Sequence, residues 1–219
     1  MKSYPLKPLH VYNMLGSPHE YDNALSSFNT DEAQCIRRFC HLLIAYFVHH
    51  SESAASTDAD IDEDDDDGSS TTSYADSFHS SDEESVCGQE NAPQHLPLVL
   101  PTDPRSIKFQ KRIAVITPYK AQLRLLRQYL PNYIEITTVD GSQGKEKDIV
   151  ILSCVRSGTN IGFLSDMNRA NVMLTRSKYG LYVFGNITQL AAEHKSWTAF
   201  EAHVRGNRLI SNVQQLEPE

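Results

Sequence analysis

An α/β fold, with a parallel sheet covered by helices on both faces, is what this sequence predicts. Three observations carry that expectation. The run Ile149 to Val155 is almost wholly apolar, as a strand buried on both sides must be. Shorter β-branched or apolar runs at Leu9–Leu15, Arg112–Ile116, Ile134–Val139 and Gly180–Gly185 are separated by stretches of helical periodicity. The resulting order of β, α, insertion, β, α, β, β, α, β, α is that of a parallel sheet wound with helices.

Taken in order, Leu9 to Leu15 is a short strand followed by a loop with Gly16, Pro18 and Asn23. A helix begins near Asn29. Asn29 and Glu32 fit a capping box, in which each side chain satisfies a backbone N–H of the first turn. Ala33, Ile36, Cys40, Leu43 and Phe47 form a helical apolar stripe that ends at His49-His50. Residues 51–106 read as a long disordered acidic insertion. They are rich in Ser and Asp, poor in branched apolar residues, and close on PQHLPLVLPTDP, so they cannot bury enough surface to offset the entropy of ordering. Each doubling of a loop costs only about 0.6 kcal/mol, so the fold tolerates it. Order returns at Lys111, with a strand to Ile116, a turn at Thr117-Pro118-Tyr119, and a helix from Lys120 to Leu130 that Pro131 closes. Thr188 to Val204 reads as one helix with Leu190, Trp197, Phe200 and Val204 on or near one face. That spacing points to core packing of its aromatic pair in preference to a base-stacking surface. Residues 1–50 and 107–210 are then two parts of one domain, and 211–219 a tail.

Charge divides the chain in the same way. Residues 51–92 hold fourteen of the 28 acids and no Lys or Arg, leaving 20 basic against 14 acidic residues elsewhere, a net charge of +6. A basic folded part permits phosphate contacts. The acidic run reads either as a solvated loop or as an electrostatic brake or partner-binding segment. The four cysteines have no zinc spacing, and the nine histidines no ligand spacing, so the thiols are expected to be reduced and no metal ligand set is proposed. No 18-residue apolar run exists, and Met1 to Pro8 lacks a signal-peptide core. No membrane partner and an intracellular location, nuclear or cytoplasmic, are expected.

The chemistry concentrates between Ile134 and Asn186. Asp140-Gly-Ser-Gln-Gly-Lys-Glu-Lys-Asp148 is a loop with two glycines, an amide and alternating charge, at the carboxyl end of a strand, where open α/β sheets place ligand-binding groups. Arg169 and Arg176 are seven residues apart, about two helical turns, which would put both guanidinium groups on one helix face. Thr138-Val-Asp-Gly-Ser-Gln-Gly-Lys-Glu-Lys-Asp148 with Ile-Leu-Ser-Cys-Val-Arg-Ser157, and Gly162-Phe-Leu-Ser-Asp-Met-Asn-Arg-Ala-Asn-Val-Met-Leu-Thr-Arg-Ser-Lys178, resemble motifs V and VI of superfamily-one helicases. The group they resemble most is the up-frameshift and senataxin type, which moves on RNA or DNA using ATP. Ile116-Thr-Pro-Tyr-Lys-Ala-Gln122 resembles the motif IV region, and Asn29-Thr-Asp-Glu-Ala33 a helix start of the same family.

The resemblance implies the second of two RecA-like domains and a set of roles. Arg176 matches the arginine that reaches the γ-phosphate, and Arg169 the earlier arginine that supports it. Gln143 matches the glutamine coupling the site to nucleic acid, Glu146 the acid that accepts ribose hydroxyls, and Gly144 lies between them in the nucleotide-facing loop. Thr117, Thr137 and Thr138 match positions that touch the sugar-phosphate backbone. Some members have, where this chain has Thr30, an arginine that reaches the γ-phosphate. The implied ligands are ATP with Mg²⁺, in the full two-domain helicase, and single-stranded RNA or DNA. The implied partner is an N-terminal RecA-like domain or another helicase. An arginine supplied from outside the nucleotide cradle is worth ~10³ to 10⁵ in rate, and lysine cannot reproduce its two directed hydrogen bonds. Duller readings stay open: the arginines as salt-bridge partners, Gln143 and Glu146 as ordering a tight loop, the threonines as ordinary strand residues.

No G-x-x-x-x-G-K-[ST] phosphate loop occurs, since Gly144-Lys145 precedes Glu146, and no apolar strand ends in an Asp-Glu pair. The expectation is a C-terminal motor half that is inactive alone. The alternative is a non-catalytic adaptor that binds nucleic acid or a helicase.

Overall fold

A computed structural model of the chain describes residues 7–55 and 102–213. Most of the insertion, residues 56–101, lies outside the described residues. Six parallel strands form the main sheet: β1 (Leu9–Met14), β4 (Ile113–Thr117), β5 (Glu135–Thr138), β6 (Lys147–Ser153), β7 (Ser177–Gly185) and β8 (Ile210–Val213). Their order is β5-β4-β6-β7-β1-β8, with every neighbouring pair parallel. The expected RecA-like sheet is thus present. A small antiparallel pair, β2 (Glu20–Tyr21) and β3 (Ser27–Phe28), follows β1.

Alternate residues of the central strands feed two cores, as a period of two requires. Val115, Ile149, Ile151 and Phe184 face α1 (Thr30–Ala55), α2 (Pro104–Gln110) and α3 (Lys120–Tyr129). Ile116, Val150, Leu152 and Val183 face α4 (Met167–Leu174), α5 (Ile187–Glu193) and α6 (Lys195–Gly206). Trp197 is 2% exposed and its Nε1 donates to the Leu164 carbonyl at 2.8 Å, so its place is the core.

The structure departs from expectation in four places. Helix covers both edges of the stretch read as insertion: α1 continues to Ala55 and α2 begins at Pro104. Asp103 caps α2 by accepting from the Arg105 and Ser106 N–H groups, Pro104 suits the first turn, and Phe109 stacks on Phe47 at 3.8 Å. The single helix expected over Thr188–Val204 is two, because His194 is extended (φ −148°) and its ring caps α6. The tail opens in β8, which pairs with β1. Finally, only half of the capping box forms. Asn29 Oδ1 accepts from the Glu32 N–H at 2.9 Å, but the Asn29 N–H donates to Gln122 Oε1 at 2.8 Å and Glu32 turns inward. Among the described residues no helix is long and apolar enough to cross a membrane.

Candidate functional site

The loop after β5 returns to the amino end of β6 and carries three of the candidate residues, Gln143, Gly144 and Glu146. It starts with a 3₁₀ turn at Asp140–Ser142. A Cβ on Gly141 would lie 2.5 Å from Thr137 Oγ1, so the turn fits against the strand only with glycine there. Thr138 Oγ1 accepts from the Gly141 N–H at 3.3 Å, and the Thr137 hydroxyl donates to the Thr138 carbonyl at 3.4 Å. Gly144 has φ +74°, which lets the chain reverse before Lys145. Gln143 and Glu146 are exposed. Glu146 lies 4.0 Å from Lys178, and the Gln143 side chain makes no hydrogen bond among the described residues.

Arg176 does not share a helix face with Arg169. Helix α4 ends at Leu174 with Thr175 as its cap, so Arg176 lies in the link to β7. Its guanidinium folds back, donating to the Val172 carbonyl at 3.1 Å, Thr175 Oγ1 at 3.2 Å and the Lys145 carbonyl at 3.5 Å. No carboxylate among the described residues pairs with it. The cleft it enters is also lined by Glu135, Thr137, Ser142, Lys145 and Lys147. Glu135 pairs with Lys147 at 3.0 Å and Lys145 at 3.4 Å. The Lys147 hydrogen bond, with the charge of both lysines, holds its carboxyl below the ordinary range. One acid thus faces three cations, and the surplus positive charge suits a phosphate.

Arg169 has a different environment. It lies 3.6 Å from Asp166 and 3.8 Å from Asp140, with its guanidinium 3.9 Å from the Phe163 ring centroid. Asp166 also caps α4. Paired and stacked, Arg169 ties α4 to the Asp140–Ser142 turn.

The carboxyl end of the sheet holds a second cluster. Thr117 is 0% exposed and accepts from the Tyr119 N–H at 3.5 Å, so it braces the turn and presents no hydroxyl to solvent, contrary to expectation. Glu32 is also fully buried. It accepts from the Ser153 hydroxyl at 2.6 Å and from the Val155 N–H at 3.1 Å through either oxygen, while Gln122 Nε2 donates to Ser153 Oγ at 3.0 Å. Burial raises the Glu32 carboxyl to about 8, outweighing hydrogen bonds from Ser153, Val155 and Cys154 that pull it down. Val155 has φ +68°, a conformation a β-branched residue resists. Two bonds to the Val155 peptide groups hold it, its N–H to Glu32 and its carbonyl to Asn29 Nδ2 at 3.5 Å. Thr30 heads α1 at this end, near Ser153, whereas Arg176 adjoins Lys147 at the other end of β6 through a 3.0 Å backbone bond. The seven-residue strand separates them by about 20 Å at ~3.3 Å per residue. Thr30 and Arg176 thus adjoin opposite ends of β6.

The model of an AAA domain family matches residues 67–188, more than half of the chain. ATP-dependent helicase upf1 of Schizosaccharomyces pombe is 37% identical over 141 residues, covering 59% of this chain and 14% of that protein. ATP-dependent helicase NAM7 of Saccharomyces cerevisiae is 42% identical over 131 residues, 50% of this chain and 13% of the relative. Helicase sen1 of S. pombe is 44% identical over 97 residues, 40% and 6% respectively. The chain belongs to the superfamily-one helicases of the up-frameshift and senataxin type. It spans 14% or less of the length of each of these three relatives.

Within this helicase domain, sequence reasoning missed Glu32, Ser153, Gln122, Lys147 and Arg156. Gln122 was legible in principle, since a polar residue on the apolar side of α3 needs a buried partner. Glu32 was hidden by its fit to the capping box. Lys147 and Arg156 lie inside the motif V resemblance, which implied no role for either.

Proposed function

We propose that this chain is the C-terminal motor half of an ATP-dependent RNA or DNA helicase, supplying the γ-phosphate arginine and part of the nucleic-acid track. The observation that carries the reading is Arg176. Its guanidinium is fixed by two carbonyls and a hydroxyl, has no acid to neutralise it, and opens on a cleft with Lys145 and Lys147. An adaptor would have no use for such a preorganised, uncompensated cation. Bound ATP supplies the phosphoryl group whose developing charge Arg176 offsets. Glu146 and Gly144, on the same exposed loop, face the nucleotide, with Glu146 taking the ribose hydroxyls. Gln143, unbonded and exposed, reports nucleotide state to the nucleic acid. Thr137 and Thr138 border the strand, with Thr117 shaping the turn beneath it.

The cations fit the phosphates, but Mg²⁺ has no ligand set here: the described residues contain no group of three His, Cys, Asp or Glu placed for a metal. Mg²⁺ and the phosphate cradle belong to the N-terminal RecA-like partner. The purified chain should therefore hydrolyse ATP no faster than a blank, whereas mixing or fusing it with that partner should restore turnover. Turnover by the chain alone that disappears on Arg176→Ala would refute this division of labour.

Single-stranded nucleic acid should bind weakly and with steep salt dependence, because backbone contacts release counterions. The fourteen acids of residues 51–92, tethered to a domain of net charge +6, compete for the same surface. Deleting residues 56–92 should tighten binding at low salt, with the gain shrinking as ionic strength rises. Anisotropy of a labelled strand across a salt series reads this directly, and superimposable curves for both proteins would leave the acidic run a passive tether.

A further inference from the structure

One cation at the carboxyl end of the sheet is held by aromatic rings and not by acids. The guanidinium carbon of Arg156 lies 5.3 Å from the Tyr21 ring centroid and 5.4 Å from that of Tyr119. Its Nε donates to the Tyr119 hydroxyl at 3.2 Å, and its Nη1 to the Tyr21 hydroxyl at 2.9 Å and the Asn160 carbonyl at 3.4 Å. Among the described residues no carboxylate pairs with it, and its Nη2 makes no hydrogen bond. The charge is therefore uncompensated.

The two tyrosines differ in exposure. Tyr119 is 8% exposed and Tyr21 is 52% exposed. Tyr21 is nonetheless held firmly. The His19 ring meets it edge-on at 5.2 Å, His19 Nε2 lies 3.1 Å from its hydroxyl, and His19 Nδ1 lies 3.2 Å from Ser157 Oγ. Burial and the nearby Arg156 charge hold the His19 imidazole below its ordinary range, which favours the neutral ring. The β2–β3 pair that carries Tyr21 is fastened to the start of α3, where Ser26 Oγ accepts from the Ala121 N–H at 3.1 Å and Asp22 pairs with Arg124. Core packing explains Tyr119 but not an aromatic ring that is rigidly held, backed by a cation and left more than half in solvent.

We propose that Tyr21, backed by Arg156, is a stacking platform for a base of single-stranded nucleic acid. Every base has a π-face, so such a platform binds without sequence preference, and a fixed ring loses little entropy on contact. Arg156 keeps a positive charge beside the platform for the adjoining phosphate. The proposal rests on the nucleic-acid reading above and adds to it a defined base contact.

The test measures binding of the whole chain at low salt to a thymidine oligonucleotide containing 2-aminopurine and to a matched strand of abasic sites. Tyr21→Ala should weaken binding to the base-bearing strand about 10-fold and leave the abasic strand unaffected. Tyr21→Phe, which keeps the π-face but loses the hydroxyl's bonds to Arg156 and His19, should retain more affinity than Tyr21→Leu, which keeps bulk without a π-face. Arg156→Gln should weaken both strands and lower the slope of log K against log salt by about 0.7. Unchanged affinity of Tyr21→Ala for the base-bearing strand, or an equal loss on both strands, would overturn the platform. Wild-type protein that binds neither strand would overturn the underlying nucleic-acid reading with it, so the two failures are distinguishable.

Discussion

Arg176→Ala, in the motor assembled with its ATP-cradling partner, should lower kcat for ATP hydrolysis about 10³-fold while changing ATP affinity only a few-fold. The contribution is large because the guanidinium is already oriented. Three hydrogen bonds fix it, to Val172, Thr175 and Lys145, so little reorganisation accompanies charge development on the phosphoryl group. Lysine at this position should recover less than a tenth of the lost rate, since an ammonium cannot keep those bonds and still present a fork. Arg169 is the internal control. Its charge is neutralised by Asp140 and Asp166, so Arg169→Ala should act through the turn it anchors and cost about 10-fold in the same kcat. Stopped-flow phosphate release on the four proteins separates the roles. Equal losses for Arg169→Ala and Arg176→Ala would end the distinction between a phosphate arginine and a positioning one.

Glu32 should make the domain lose stability as pH rises from 5 to 8. Its folded carboxyl titrates at about 8, against an ordinary value of 4.5. Below 4.5 both folded and unfolded chains are protonated there and the contribution is constant. Between the two values the unfolded chain gives up this proton and the folded chain keeps it, so stability falls by up to about 1.4 kcal/mol per pH unit. Above about 8 both are ionised, and the whole cost of a buried, unpaired carboxylate has been incurred. His10 and His19, whose imidazoles burial holds low, act in the opposite direction up to 6.5. Glu32→Gln cancels that background, because both proteins carry the same histidines. The variant should be less stable than wild type at pH 5, where its amide sets a donor against the Val155 N–H, and should match or exceed wild type at pH 8. Urea melts at pH 5, 6.5 and 8 report the difference, and parallel stability curves for the two proteins would exclude Glu32 as its source.

Much of the fold was legible because the central strands are apolar on both faces. Arg112–Ile116 and Ile149–Val155 read as strands from side chains alone, and the strands found there, Ile113–Thr117 and Lys147–Ser153, have parallel neighbours that account for them. Strand β8, Ile-Ser-Asn-Val, did not, since it is half polar and owes its conformation to β1, whose Val11 N–H already bonds the Leu209 carbonyl at 2.7 Å. The α5–α6 break was hidden because Leu190, Trp197 and Val204 all face one core from two helices. In the site, motif spacing located the residues and left their environments open. Seven residues between Arg169 and Arg176 suggested a shared helix face, and only the early end of α4 at Leu174 separated an acid-bound arginine from an unpaired one. Glu32 fitted the capping box, and its burial was not legible because Gln122, far away in sequence, takes the backbone N–H that the cap would have used.

The position of β1 also fixes an order of events during synthesis. It lies between β7 and β8, pairing Leu9 with Leu181 and Val11 with Ile210. While the ribosome makes residues 15–176, β1 has neither neighbour, and the apolar side of α1 has only part of the sheet to pack against. Of the six strands of this sheet the earliest in the chain is the last whose pairing can be completed, and closing so long a loop is slow compared with forming β4, α3 and β5 in succession. Strand β1 must therefore wait with both edges unsatisfied until β7 and β8 have been made. An acid-rich, lysine-free and arginine-free stretch emerging directly after α1 gives that waiting segment a strong like-charge repulsion against its neighbours on a polysome.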